Sequence, residues 1–320
     1  MVAAAAFVDR VIITADCRLT RRHPGGREEH WDNVLKLMPC GRWTVLGWVG
    51  DLEVATPIVR ELIRQLGRHE RFQAQAPLRS LVPWHPKRLH LWLPRFLRWA
   101  YARAGSRGDV EFVVASALPD TPTVISRDLA TRMLRDAVES SGPPADWILQ
   151  VLLHAQATNS QWVALSDTFS PRVLVMAPPD FTPSVVGPFS FAVLGSGGRP
   201  VIEGMKERGD DLFTCRPEVV GSRLEIAISG LCAKAGISTV GGLRPTYEIS
   251  SKGLAPMEQR SQKRFGQLDE EVIQLVYLRH GLWLQRNVTT GMEIKILPPW
   301  DALRETPAGG RVFGSDFFDW

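Results

Sequence analysis

No stretch of this chain approaches the ~18 uncharged apolar residues that a membrane-crossing helix requires. The apolar opening from Met1 to Val8 is ended by Asp9-Arg10, and no basic segment precedes it, so neither a signal peptide nor a propeptide is expected. Cysteine is scarce as well. The four residues Cys17, Cys40, Cys215 and Cys232 form no CxxC pair and have no histidine at zinc-site spacing. That excludes a zinc ribbon and a secreted disulfide framework; no metal and no cofactor are expected, and the compartment is read as cytoplasmic. Charge of one sign is also lacking: 38 Lys+Arg against 34 Asp+Glu leave a net +4 over 320 residues, too little to indicate a nucleic-acid partner by itself. There is no internal repeat and no Walker motif, so any ATP-driven motor acting with this protein must be a separate chain.

What is present is the composition of a packed protein. Hydrophobic residues are 44% and charged residues 22%, and the length allows one large domain or two ordinary ones with a full core. The opening reads as two strands, Val2 to Val8 and Val11 to Asp16, joined across Asp9-Arg10. Arg21 to Asp32 is polar with Pro24-Gly25-Gly26 and reads as a loop. Strand character resumes at Val34 to Leu37 and Trp43 to Val49.

From Glu53 the apolar spacing changes to a helical period through Val54, Ile58, Leu62 and Leu66, with Gly67 as a stop. Either Asp51 caps this helix and Pro57 kinks it, or Thr56 caps it with Pro57 in the first turn. Further strands are expected at 110–115, 123–125, 172–177, 189–194 and 246–249. Helices are expected at 94–103, in two pieces over 127–158, at 217–236 and at 268–285.

Three segments, in this order, resemble the proteasome β-type subunits and the bacterial HslV and Anbu peptidases, which are N-terminal-nucleophile hydrolases. They are Val11-Ile12-Ile13-Thr14-Ala15-Asp16-Cys17-Arg18-Leu19-Thr20; then Asn33-Val34-Leu35-Lys36-Leu37 with Gly47-Trp48-Val49-Gly50-Asp51; and then Phe191-Ala192-Val193-Leu194-Gly195-Ser196-Gly197-Gly198. The resemblance covers roughly 1–66 and 189–250. It implies an α+β fold, a four-layer αββα sandwich, over residues 1–250 with an insertion at about 68–188, followed by a C-terminal extension at 251–320.

The same resemblance implies a chemistry and its residues. An N-terminal Thr, Ser or Cys attacks a carbonyl while its own α-amine relays the proton. Asp16 would orient Lys36, Lys36 would tune the nucleophile, and Ser196 with its backbone neighbours would position the amine. The opening Met1-Val2-Ala3 departs from that pattern, because it offers no hydroxyl or thiol at the start. The expectation is therefore a proteasome β/HslV-like subunit without its nucleophile. Such a subunit would be non-catalytic, assembling into a homo- or hetero-oligomeric ring or spiral and not spanning a membrane. Phe317, Phe318 and Trp320 form a possible docking tail for a protein partner.

Two alternatives stay open. The first is a working peptidase or amidohydrolase that relies on unseen processing or on another nucleophile such as Cys17. The second is a nucleic-acid-binding module built on the Trp/Arg-rich stretch from Trp84 to Arg103, which is disfavoured against an insertion packed on the core.

Overall fold

A computed structural model describes residues 1–7, 10–22, 28–41, 43–75, 89–105, 108–116, 124–126, 131–132, 135, 162–164, 172–207, 213, 217–238, 240, 244–250, 252–257, 259–265, 268–279, 282–287 and 291–305. The expected opening hairpin is present. Strands β1 (Val2–Ala6) and β2 (Arg10–Ala15) pair antiparallel with Val2 opposite Ala15. A five-stranded sheet grows around them, with β12 (Ser190–Leu194) on the far side of β1 and β13 (Thr246–Ser250) then β14 (Gly253–Pro256) beyond β2. β1 is thus an interior strand. Its two faces go to different cores because successive side chains of a strand point oppositely. Val2, Ala4 and Ala6 join one buried cluster, while Met1, Ala3 and Ala5 join another.

The second five-stranded sheet has the order β11 (Ser184–Val186), β10 (Arg172–Met176), β7 (Val110–Ser116), β6 (Thr44–Gly50) and β5 (Leu37–Pro39). It faces the first across an apolar seam that includes Ala4, Ile13, Val45, Val113, Val173 and Ile249. At Gly47 an added Cβ would stand 2.6 Å from Cγ1 of Val113, its partner on the neighbouring strand β7, and 3.0 Å from Val2 Cγ1 of the first sheet. Glycine at this position leaves room for the side chains of its strand neighbour and of the facing sheet alike.

The outward faces of both sheets are covered in part by helices. α1 (Leu52–Gln75) and α2 (Leu89–Arg103) pack over the second sheet and bury Trp48 and Phe112, and Trp48 Nε1 donates to Leu35 O at 3.2 Å. α3 (Gly198–Glu207) and α4 (Pro217–Lys234) lie against Ala3, Ala5 and Ile12 through Val201, Leu224 and Ile228. α5 (Pro299–Glu305) packs beside α1. The α1 cap is Asp51, whose Oδ1 accepts from the N–H groups of Glu53 at 2.9 Å and Val54 at 3.4 Å, so Pro57 lies inside the helix. Asp51→Ala leaves those donors without their side-chain acceptor and is expected to cost about 1 kcal/mol in a urea titration, whereas Asp51→Asn should cost a few tenths.

Several expectations are corrected. A four-layer αββα sandwich is built on two sheets, whereas the described residues form eighteen mostly antiparallel strands in five sheets. The additions come from segments whose turns and polarity masked their pairing. Residues read as a loop make the hairpin β3 (Leu19–Arg22) with β4 (Glu28–Trp31). The segment read as a polar extension with a helix at 268–285 makes a four-stranded meander of β15 (Gln259–Phe265), β16 (Leu268–Arg279), β17 (Leu282–Asn287) and β18 (Glu293–Ile296). A helical spacing of apolar residues loses to ladders formed on both edges of β16.

The stretch 68–188 supplies β7 and β10, which are interior strands of the second sheet, and also the small pair β8 (Val124–Ser126) and β9 (Trp162–Ala164). Helix α1 continues past Gly67. The helices expected over 127–158 fall almost wholly outside the described residues, as do Phe317, Phe318 and Trp320. Among the described residues, no helix is long and apolar enough to cross a membrane.

Candidate functional site

The end of β2, the segment just before β5 and the start of β1 converge, and they bring three chemical groups together. Asp16 follows β2 and is fully buried; Lys36 precedes β5 and is 6% exposed. Asp16 Oδ1 accepts from Lys36 Nζ at 2.8 Å and from the α-amine of Met1. The Asp16 N–H in turn donates to Met1 O at 3.1 Å, which fixes residue 1 by its main chain at both ends. One carboxylate oxygen therefore holds both nitrogens.

The electrostatics follow from burial. Loss of solvent pushes the Met1 amine down from its ordinary 8.0 to about 5; Asp16 opposes this shift and Lys36 adds to it. The amine is then a free base at neutral pH, with N–H to donate and a lone pair. Burial would raise Asp16, but the amine and the Lys36 ammonium outweigh it and hold the carboxyl below its usual 3.8. The cluster accordingly carries one carboxylate and one ammonium.

The turn after β12 forms the opposite wall. Gly195 has φ +93° and Gly198 N–H closes the turn onto Gly195 O at 2.9 Å. A Cβ on Gly195 would stand 3.3 Å from Met1 Cα, and one on Gly197 would stand 2.5 Å from Cys232 Sγ and 3.0 Å from Met1 Sδ. Glu111 on β7 reaches across and accepts from Gly195 N–H at 3.1 Å. Ser196 is exposed at this turn.

A cavity of about 1070 Å³ opens over the cluster; its lining includes Met1, Lys36, Gly195, Ser196, Glu111 and Tyr101. The Met1 side chain packs in the apolar layer with Val201, Leu231 and Cys232.

The three residues singled out from sequence, Asp16, Lys36 and Ser196, all stand around Met1. Asp16 and Lys36 are joined directly; Ser196 lies on the cavity wall. Glu111 was missed. Its signal was a lone acid inside the otherwise apolar run Val110–Ala115, a place where an unpaired carboxylate is costly. The alternative nucleophile Cys17 is fully buried in the core under α1, and burial, with Asp16 beside it, pushes its thiol up. That is the environment of an inert thiol.

In the Trp/Arg stretch, Trp92, Phe96 and Trp99 pack against the core while Arg95, Arg98 and Arg103 are exposed, Arg103 lying 5.0 Å over Trp99. Trp84, His85, Lys87 and Arg88 lie outside the described residues. Among the described residues no group of three or more His, Cys, Asp or Glu side chains forms a metal-binding cluster. No family model matches the chain, and no curated protein matches it.

Proposed function

We propose that this chain is a proteasome β/HslV-like subunit that has the charge cluster of an N-terminal-nucleophile hydrolase without the attacking atom, and that it works as a non-catalytic assembling or protein-interaction subunit. The observation that carries the reading is the shared hydrogen bonding of Asp16 Oδ1 to Lys36 Nζ and the residue 1 amine beside the Gly195-Ser196 turn, combined with a thioether at residue 1. A thioether has no proton to give up and makes no acyl bond. The base, the ammonium and the cavity remain, but the covalent step has no donor.

The pure protein is expected to leave peptide and acyl-ester substrates intact, and light scattering behind a sizing column is expected to give a multiple of 35.7 kDa. Turnover that disappears in Lys36→Ala would defeat the non-catalytic reading. A strict monomer at all concentrations would defeat the assembling one.

A further inference from the structure

The outer surface of α2 carries two rows of side chains. Trp92, Phe96 and Trp99 follow one another at helical spacing, with successive ring centroids 5.9 Å and 5.8 Å apart, and all three are only half-buried, so this aromatic ladder is partly open to solvent. Beside it stand Arg95 and Arg98, both exposed, and Arg103, which lies 5.0 Å over the Trp99 ring. The helix has three arginines and no acid, and among the described residues no hydrogen bond or ion pair occupies Arg95 or Arg98. We propose that this face is the dock for the chain's own segment Asp316-Phe317-Phe318-Asp319-Trp320, which lays its aromatic side chains on the ladder and its two carboxylates on the arginines.

Charge and polarity select this occupant. Asp316 and Asp319 are three residues apart, as are Arg95 and Arg98, and the three residues that accompany the acids in the segment are all aromatic. A carboxylate on a guanidinium makes a charge-assisted hydrogen bond, and aromatic rings meet one another edge to face or offset. Each such contact is weak on its own at a surface. A ligand that is both acidic and aromatic makes both kinds at once, and 316–320 has that composition.

The connection is long enough to act within one molecule. α5 and α2 both pack on α1, and the axes of packed helices lie about 8–10 Å apart, so the two are separated laterally by at most about 20 Å. Trp300 and Leu303 of α5 pack against the same buried cluster as Trp92, Phe96 and Trp99. After Glu305, residues 306–315 can extend over roughly 33 Å, which brings Asp316 within reach of α2. Arg98 also lines the cavity over Lys36, so a docked segment borders it.

The dock does not rest on the subunit reading, which is decided by turnover and oligomer size. The test puts the photoreactive p-benzoylphenylalanine in place of Phe318 in the full chain, irradiates the protein and maps the cross-links by peptide mass spectrometry. Mixing isotope-labelled with unlabelled protein separates links within one chain from links between chains. Most links are expected within one chain and on residues 92–103. Arg95→Glu with Arg98→Glu, at exposed positions and checked for native circular dichroism, should lower their yield at least about five-fold. Asp316→Arg with Asp319→Arg, which leaves α2 untouched, should lower it as well, and the four changes together should restore it. Links spread over the chain, or formed mostly between chains, would overturn the proposal, as would an unchanged yield in either charge-reversed variant.

Discussion

Asp16→Ala is expected to lower the unfolding free energy by about 3–5 kcal/mol, the range found when one member of a buried ion pair is removed. Asp16 is fully buried, and its Oδ1 serves both Lys36 Nζ and the Met1 amine. Truncation strands an ammonium that is 6% exposed and takes the acceptor from a second nitrogen, so the loss exceeds that of a single hydrogen bond. Lys36→Met should cost less, because the remaining carboxylate keeps the amine N–H and the Met stem fills the same space.

The two changes share one contact and should not add. In the combined Asp16→Ala, Lys36→Met variant no buried charge of the pair is left without its partner, and its stability should lie above the sum of the single losses by at least about 1 kcal/mol. Equilibrium urea unfolding of the four proteins measures this directly. A loss below about 1 kcal/mol in Asp16→Ala would mean that the cluster is solvated and not a buried pair.

Acidification from pH 8 to pH 5 is expected to weaken the fold steadily, by up to about 4 kcal/mol if the full shift of the Met1 amine is expressed. The sign follows from proton counting. In the unfolded chain the amine titrates at its ordinary 8.0, and in the folded one at about 5. Between these values the unfolded state binds the extra proton, so stability falls as protons are added. Below pH 5 this contribution levels off. The contribution of Asp16, whose folded pKa is depressed, is present above its ordinary 3.8 and is lost only as the pH falls further. Urea midpoints taken at intervals between pH 5 and 8 should show the slope, and a flat profile would place the amine in contact with water.

The legible parts of the molecule were those in which local pattern and tertiary pairing agree. The β1–β2 hairpin, strand β7 and helix α4 are continuous apolar or periodic runs bounded by polar or glycine punctuation, and each appears near the expected limits. The β3–β4 hairpin was hidden because Pro24-Gly25-Gly26 looks like the middle of a loop, although it lies between two paired strands. β16 was hidden because its apolar residues also fit a helical period, and only neighbours on both edges decide for the strand.

The site divides in the same way. Asp16, Lys36 and Ser196 were found through short motifs close to strand ends. Their joining at Met1 could be expected from a resemblance alone, since it depends on three strand ends meeting in space. Glu111 bridging to Gly195, and Cys232 against Gly197, connect residues far apart in the chain, for which no sequence period exists.

The place of β1 inside its sheet constrains the order of folding during synthesis. Val2 to Ala6, synthesised well before Ser190 to Leu194, must wait for them before their second edge is closed. Until Leu194 has been made, the nascent β1–β2 ribbon exposes a nearly uncharged edge of alanine and valine, a template for unwanted pairing between growing chains. A holdase acting on that ribbon would therefore raise the yield of native protein more than one acting later, and folding should be slow in proportion to this long closure.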